Sequence, residues 1–185
     1  MSDAPANRRG RLLIASPSLL DDNFRRAVAL VLEHSDEGAL GLVLNRPTGL
    51  VATEALPERI ADLLPPAELV HEGGPVQPEA VIVLADFLDP SLAPTLAFGS
   101  VGIVDPERLA STPAEIRAAR AFGGYAGWAA GQLEREIEEE AWIDSEAMAG
   151  DVFTATPEDL WSDVLERKGG TYRLVARMPE DPTLN

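Results

Sequence analysis

The chain has 185 residues, no cysteine, and 31 acidic against 15 basic side chains, for a formal net charge of -16. Its length suits one domain with a substantial core. The missing cysteines exclude disulfides, thiolate metal sites and cysteine nucleophiles. The charge weighs against phosphate backbones and anionic membranes, which proteins hold largely through cations.

Hydrophobic residues make up 45% and charged residues 25%, the balance of a soluble globular protein. Arg8, Arg9 and Arg11 lie near the start, but no apolar segment of signal-peptide length follows them. The longest apolar runs, about 6 residues, fall far short of the roughly 20 that span a bilayer. A cytoplasmic location is expected. One domain over 10–178 is expected too, with 1–9 and 179–185 as flexible tails.

Leu12 to Ala15 reads as a first strand, stopped by Ser16-Pro17. Ser18 to Arg26 reads as a polar turn or a short helix, with Asp21 or Asp22 as the N-cap. The stretch Ala27 to Pro47 dominates the chain. Two apolar runs, Ala27–Leu32 and Ala39–Leu44, flank Ser35-Asp36-Glu37-Gly38 and predict a hairpin. Leu40, Leu42 and Leu44 share one face of its second strand, and Gly41, Val43 and Asn45 share the other. A strand apolar on both faces belongs inside a domain.

Leu56, Ile60, Leu63 and Leu64 fall at helical spacing, with Pro57 limiting the regular part to about two turns. Leu69 to Glu72 is short and extended, and Gly73-Gly74-Pro75 signals a turn. Ala80 to Ala85 is a buried strand, Asp86 to Pro94 a loop, and Thr95 to Val104 strand-like with glycine interruptions. Asp105-Pro106 opens a short helix through Leu109. Thr112 to Glu115 matches a capping box, while Ala118 to Tyr125 suits a strand, so local rules leave 113–121 open. Gly131 to Trp142 predicts a helix striped by Leu133, Ile137 and Ala141. Thr156 to Lys168 predicts another, capped by Thr156, with Leu160, Trp161, Val164 and Leu165 inward and Gly169-Gly170 ending it.

Several stretches resemble the YqgE/AlgH family: Leu13-Ile14-Ala15-Ser16-Pro17, Asp22-Asn23-Phe24, Leu32-Glu33-His34 and Gly38 to Pro47. Gly73-Gly74-Pro75-Val76, Gly124-Tyr125-Ala126-Gly127-Trp128 and Gly131-Gln132-Leu133-Glu134 continue the resemblance, which runs over nearly the whole chain. It implies an α+β domain: a strongly bent mixed sheet, largely antiparallel, forming a partial barrel with helices packed around it. It also favours a strand near Ile116 to Tyr125. Members are carried as uncharacterised proteins or suggested transcriptional regulators, and the resemblance brings no catalytic residue. The chain departs from the family at Ala129-Ala130, where Gly-Pro is common, and at Ala85, where a histidine is common.

No reaction can be read from the motifs. His34 beside Glu33, and His71 beside Glu72, are candidate bases, each with a competing reading as a strand-end histidine bound to backbone. Two histidines without HExxH or CxxC make no zinc site. Ser100 lacks the glycine pattern of a nucleophile elbow, and both histidines precede it. No standard phosphate cradle is present, and no cofactor or metal is expected. The ligand- or partner-binding candidates are His34, Asn45, Arg46, Gly73, Gly74, Tyr125, Trp128 and Gln132, with no catalytic residue among them. For Trp128 and Tyr125 the competing reading is a core anchor, and for Arg46 a structural salt bridge.

A DNA-reading helix needs basic residues, yet the two clearest helices carry Glu134, Glu136, Glu138, Glu139 and Glu140, and Glu158, Asp159, Asp163 and Glu166. The favoured function is therefore regulation by binding a protein or small ligand. The alternatives are an enzyme with a site near His34, Asn45 and Arg46, and a regulator that binds DNA directly.

Overall fold

The computed structural model describes residues 7–109 and 115–180. Elements are numbered in chain order. Strands β1 (Arg11–Ala15), β2 (Val28–Ser35) and β3 (Gly38–Val43) form an antiparallel meander. Ser35 pairs with Gly38, so Asp36 and Glu37 alone make the predicted hairpin turn. Next come β4 (Pro47–Val51), the one-turn helices α1 (Ala52–Ala55) and α2 (Glu58–Ala61), and β5 (Leu69–Glu72). Then follow β6 (Val76–Phe87), β7 (Thr95–Phe98), β8 (Val101–Ile103), α3 (Pro106–Leu109) and β9 (Ile116–Ala129). The chain continues with α4 (Gln132–Glu138), β10 (Trp142–Glu146), α5 (Ala149–Val152), α6 (Leu160–Lys168) and α7 (Tyr172–Ala176).

The strands form one mixed sheet in the order β10-β1-β2-β3-β9-β6-β8-β7, with β5 alongside β9 and β4 alongside β5. Among the described residues only β5 with β9 is parallel. Phe122 and Gly123 pair with β5 and with β6, so these two strands flank opposite edges of β9. Register shifts in β2 and β6 bend the sheet. The bend brings β7 back to the start of β1, where a Cβ on Gly10 would lie 2.6 Å from the Ala97 carbonyl oxygen. The sheet still does not close, because β10 and β7 at its ends do not pair.

Both faces are covered, which explains the unbroken apolar runs. Inside the bend, Leu12, Ile14, Leu30, Leu42, Leu84 and Phe122 pack with Leu160, Trp161, Val164 and Leu165 of α6. On the other side of β1–β3, Leu13, Ala29, Val31 and Val43 pack with Trp128, Leu133 and Trp142. A third cluster joins Val83, Phe87 and Ala121 to Ile60, Leu63 and Leu64.

Of the two readings of Ser18–Arg26 the turn holds, and several other expectations change. Ser18–Arg26 forms turns, with the Asp21 carboxylate accepting from the Asn23 N–H at 2.9 Å. The helix expected around Leu56–Leu64 is two single turns broken at Pro57, which cannot donate to a helical ladder. Thr48 to Val51 is strand, paired with β5. The helix expected to reach Trp142 ends at Glu138, because Trp142 begins a strand hydrogen-bonded to β1. The α6 segment starts with a 3₁₀ turn at Pro157–Asp159, and Thr156 makes no capping hydrogen bond. Ile116 to Tyr125 is strand, as the family resemblance implied. Thr112 to Ala114 of the capping box lies outside the described residues.

Candidate functional site

The eight candidate residues divide between the two ends of β3. Its six residues, at roughly 3.3 Å each, separate the ends by about 20 Å. At the turn end are His34, Trp128 and Gln132. The His34 side chain is only 3% exposed. Its Nδ1 accepts from the Arg8 N–H at 3.0 Å, which leaves Nε2 to donate to Glu134 Oε1 at 2.6 Å. This network assigns the neutral Nε2–H tautomer. Partial burial pulls the Glu134 carboxyl up, but its own backbone N–H, the His34 hydrogen bond and Arg8 outweigh it and hold the group below the usual carboxylate range.

Trp128 is buried, and its indole N–H donates to Glu136 Oε2 at 3.0 Å. Trp142 donates to the same oxygen at 2.8 Å, and the Gln132 amide donates to Oε1 at 2.8 Å. Gln132 also accepts from the Ala129 N–H, stapling the end of β9 to α4. Phe24 completes the group, its ring centroid 5.6 Å from Trp142 and 6.4 Å from Trp128. A cleft of about 570 Å³ opens beside this assembly, lined by Arg9, His34, Ser35, Gly38, Leu40 and Trp128 among others.

At the far end, Asn45 is buried and bonded through both its oxygen and its nitrogen. It accepts from the Val28 N–H at 2.9 Å and donates to the Arg26 carbonyl at 2.8 Å. Arg46 donates to the Arg25 carbonyl and makes no ion pair among the described residues. Burial lowers its pKa, against the pull of Glu72 and Glu180. Gly73 hydrogen-bonds through both backbone groups, to the Gly123 carbonyl and the Val43 N–H, each at 2.8 Å. Gly74 has φ +152°, and a Cβ there would lie 2.2 Å from the Tyr125 carbonyl carbon, so only glycine fits. Tyr125 packs against the core inside the bend.

His71 is 2% exposed and faces no cleft described above. Its Nδ1 lies 3.1 Å from the Leu69 carbonyl oxygen, while Nε2 has no protein partner. Burial first, and then the Arg120 guanidinium, push its pKa down. Arg120 lies in a buried pair with Glu68 at 2.6 Å and also donates to the Val152 carbonyl at 3.1 Å. Among the described residues no group of three or more His, Asp or Glu is placed to hold a metal ion, and no helix is long and apolar enough to cross a membrane. Arg8 and Arg11 both bind Asp144, and Arg9 donates to the Leu96 carbonyl, so these arginines are tied to the sheet.

Sequence reasoning passed over Glu136, Arg120 and the Arg25-Arg26 pair. Glu136 looked like one more solvated helix glutamate, and nothing local shows two indoles converging on it. An arginine doublet in so acidic a chain was a visible signal.

The AlgH-like family, DUF179, matches residues 12–173. A UPF0301 protein of Streptomyces coelicolor is 46% identical, over 95% of this chain and 94% of the relative. The solution structure of the AlgH protein from Pseudomonas aeruginosa superposes with a TM-score of 0.70 at 33% identity, over 97% of this chain and 98% of that one. The crystal structure of protein DIP2367 from Corynebacterium diphtheriae gives a TM-score of 0.82 at 27% identity, covering 94% of each chain.

Proposed function

The chain belongs to the AlgH-like family, and from that premise we propose that it is a regulatory binding domain. It holds a protein or a small ligand, without chemistry of its own and without reading DNA directly. The observation that carries this reading is the commitment of the chemically capable side chains at the turn end. Both nitrogens of His34 are engaged, and Glu134 and Glu136 are spent on His34, Gln132 and two indoles. What remains beside them is an open cleft of about 570 Å³, within the usual size range for small-molecule sites.

The charge supports the same view. Neither α4 nor α6 offers the basic face that a DNA groove requires. Fluorescence anisotropy with duplex DNA at low salt is expected to show no binding, and salt-sensitive binding would overturn this part of the proposal.

The direct test is a ligand and partner screen by thermal shift and pull-down, comparing wild type with Ser35→Trp. Ser35 is exposed at the cleft mouth, so the indole blocks the cleft without touching the core. Partners captured by wild type and lost in the variant fit the proposal. Partners retained by both, or no partner at all, defeat it.

A further inference from the structure

Three arginines gather at the other end of β3, independently of the cleft discussed above. Arg46 donates to the Arg25 carbonyl, Asn45 donates to the Arg26 carbonyl at 2.8 Å, and the two contacts together shape the Arg25-Arg26 turn. Arg26 is held at φ +53°, a left-handed backbone that non-glycine residues adopt at some cost and that concentrates at ligand sites. Its guanidinium lies 4.4 Å from the centroid of the Trp161 ring.

The chemistry around these guanidiniums is unusual for a chain of net charge -16. Arg25 donates to the Glu180 carbonyl and Arg26 to the Met178 carbonyl. Neither they nor Arg46 form an ion pair among the described residues. Neutral carbonyls occupy guanidinium donors whose planar fork suits a carboxylate, which can accept two parallel hydrogen bonds. Between Arg25, Arg26 and the Met178-Pro179-Glu180 segment lies a cavity of about 210 Å³, whose remaining wall, Ser16, Pro17, Leu19 and Leu20, is apolar except for Ser16. Leu20 is 67% and Met178 48% exposed, so its mouth is apolar as well.

We propose that this cavity binds a small amphipathic carboxylate, its apolar body against Pro17, Leu20 and Met178 and its anionic head on Arg25 and Arg26. The volume is below the roughly 300–1,000 Å³ of sites for drug-sized ligands, so the body is short. The carboxylate replaces main-chain carbonyls of the 178–180 segment as guanidinium acceptor. Asn45 and Arg46 act as positioning residues, holding the backbone of the arginine turn.

The test uses octanoate as probe, with octylamine and inorganic phosphate as controls, by calorimetry and thermal shift on the full chain. Wild type, Arg25→Ala and Leu20→Trp are compared. Both altered positions are exposed, and unliganded Tm values close to wild type verify folding. Octanoate is expected to raise the wild-type Tm by about 3–6 °C at ten times its Kd. Arg25→Ala is expected to weaken it about tenfold or more, as for loss of a charged hydrogen bond. Leu20→Trp is expected to abolish it by filling the mouth. Equal binding of octylamine would show a merely apolar crevice, and equal binding of phosphate a merely anionic one. Either result overturns the proposal, as does an absence of saturable octanoate binding or binding unchanged in both variants. Should Arg25→Ala not fold, Leu20→Trp decides.

Discussion

Two polar centres inside this protein are built on opposite terms. At the end of α4, the half-buried Glu136 accepts from Trp128, Trp142 and Gln132, and each donor is satisfied. Between β5, β9 and α5, the Arg120–Glu68 pair is buried beside a histidine whose Nε2 finds no protein partner. The first centre locks three elements together at little electrostatic cost. The second places a charge next to a neutral base that can gain a proton only by facing that charge in a desolvated site. Satisfied networks rigidify a fold, whereas an incomplete one makes its stability depend on conditions.

The comparison breaks most sharply at Arg120. Arg120→Ala strands the Glu68 carboxylate, and loss of one partner from a buried pair costs about 3–5 kcal/mol. Denaturant melts are expected to show that loss, with Tm lower by about 10 °C. The double variant Glu68→Gln/Arg120→Met is expected to recover much of it. No recovery would mean that Arg120 acts mainly by packing against α5.

Glu136→Ala leaves two buried indole N–H groups unpaired and is expected to cost about 2–6 kcal/mol, at about 1–3 per orphaned donor. Glu136→Gln, which keeps the acceptor that both indoles use, is expected to cost less. Equal costs for Ala and Gln would show that charge rather than acceptance matters there.

The third prediction concerns pH. His71 titrates lower in the folded chain than its ordinary value of about 6.5. Below that pH the unfolded chain takes up a proton that the folded chain refuses. Stability is therefore complete above about pH 6.5 and is lost as pH falls toward the folded-state value, at up to about 1.4 kcal/mol per unit. His71→Leu is expected to flatten this slope between pH 6.5 and 5, while Glu136→Ala keeps it. A wild-type profile that is flat over that range, measured by urea melts, would show a bound water or local opening relieving His71.

The smallest effect is expected at Thr156. It lacks the capping hydrogen bond that its place before Pro157 suggests, so Thr156→Ala should change stability by less than about 0.5 kcal/mol, below the usual cost of about 1 for a working cap. It serves as the baseline for substitutions outside both centres.

Much of the architecture was legible from local pattern. The runs on either side of Asp36-Glu37 specified the hairpin, because two apolar runs of strand length around a short polar break leave little else to form. Leu160, Trp161, Val164 and Leu165 point inward as their spacing indicates. The signals failed where pairing partners are distant. Trp142 closed a predicted helix yet begins β10, because β1 offers a ladder that outweighs one more helical turn. Thr48 to Val51, to which local pattern assigned no element, is strand because it pairs with β5.

The candidate residues show the same division. That Gly74 is a glycine, Asn45 polar and Trp128 aromatic is written in the chain. The reasons lie in neighbours far along it: the Tyr125 backbone against Gly74, the Val28 and Arg26 backbone around Asn45, and Glu136 beneath Trp128. By itself the sequence determined the elements with strong local periodicity, the net charge of -16 and the family resemblance. Only the tertiary structure decided that His34 and Arg46 lie at opposite ends of one strand, and that Arg25 and Arg26 face carbonyls rather than carboxylates. The physical reason is that strand order and side-chain partners arise from non-local pairing, whose free energy no window of neighbouring residues contains.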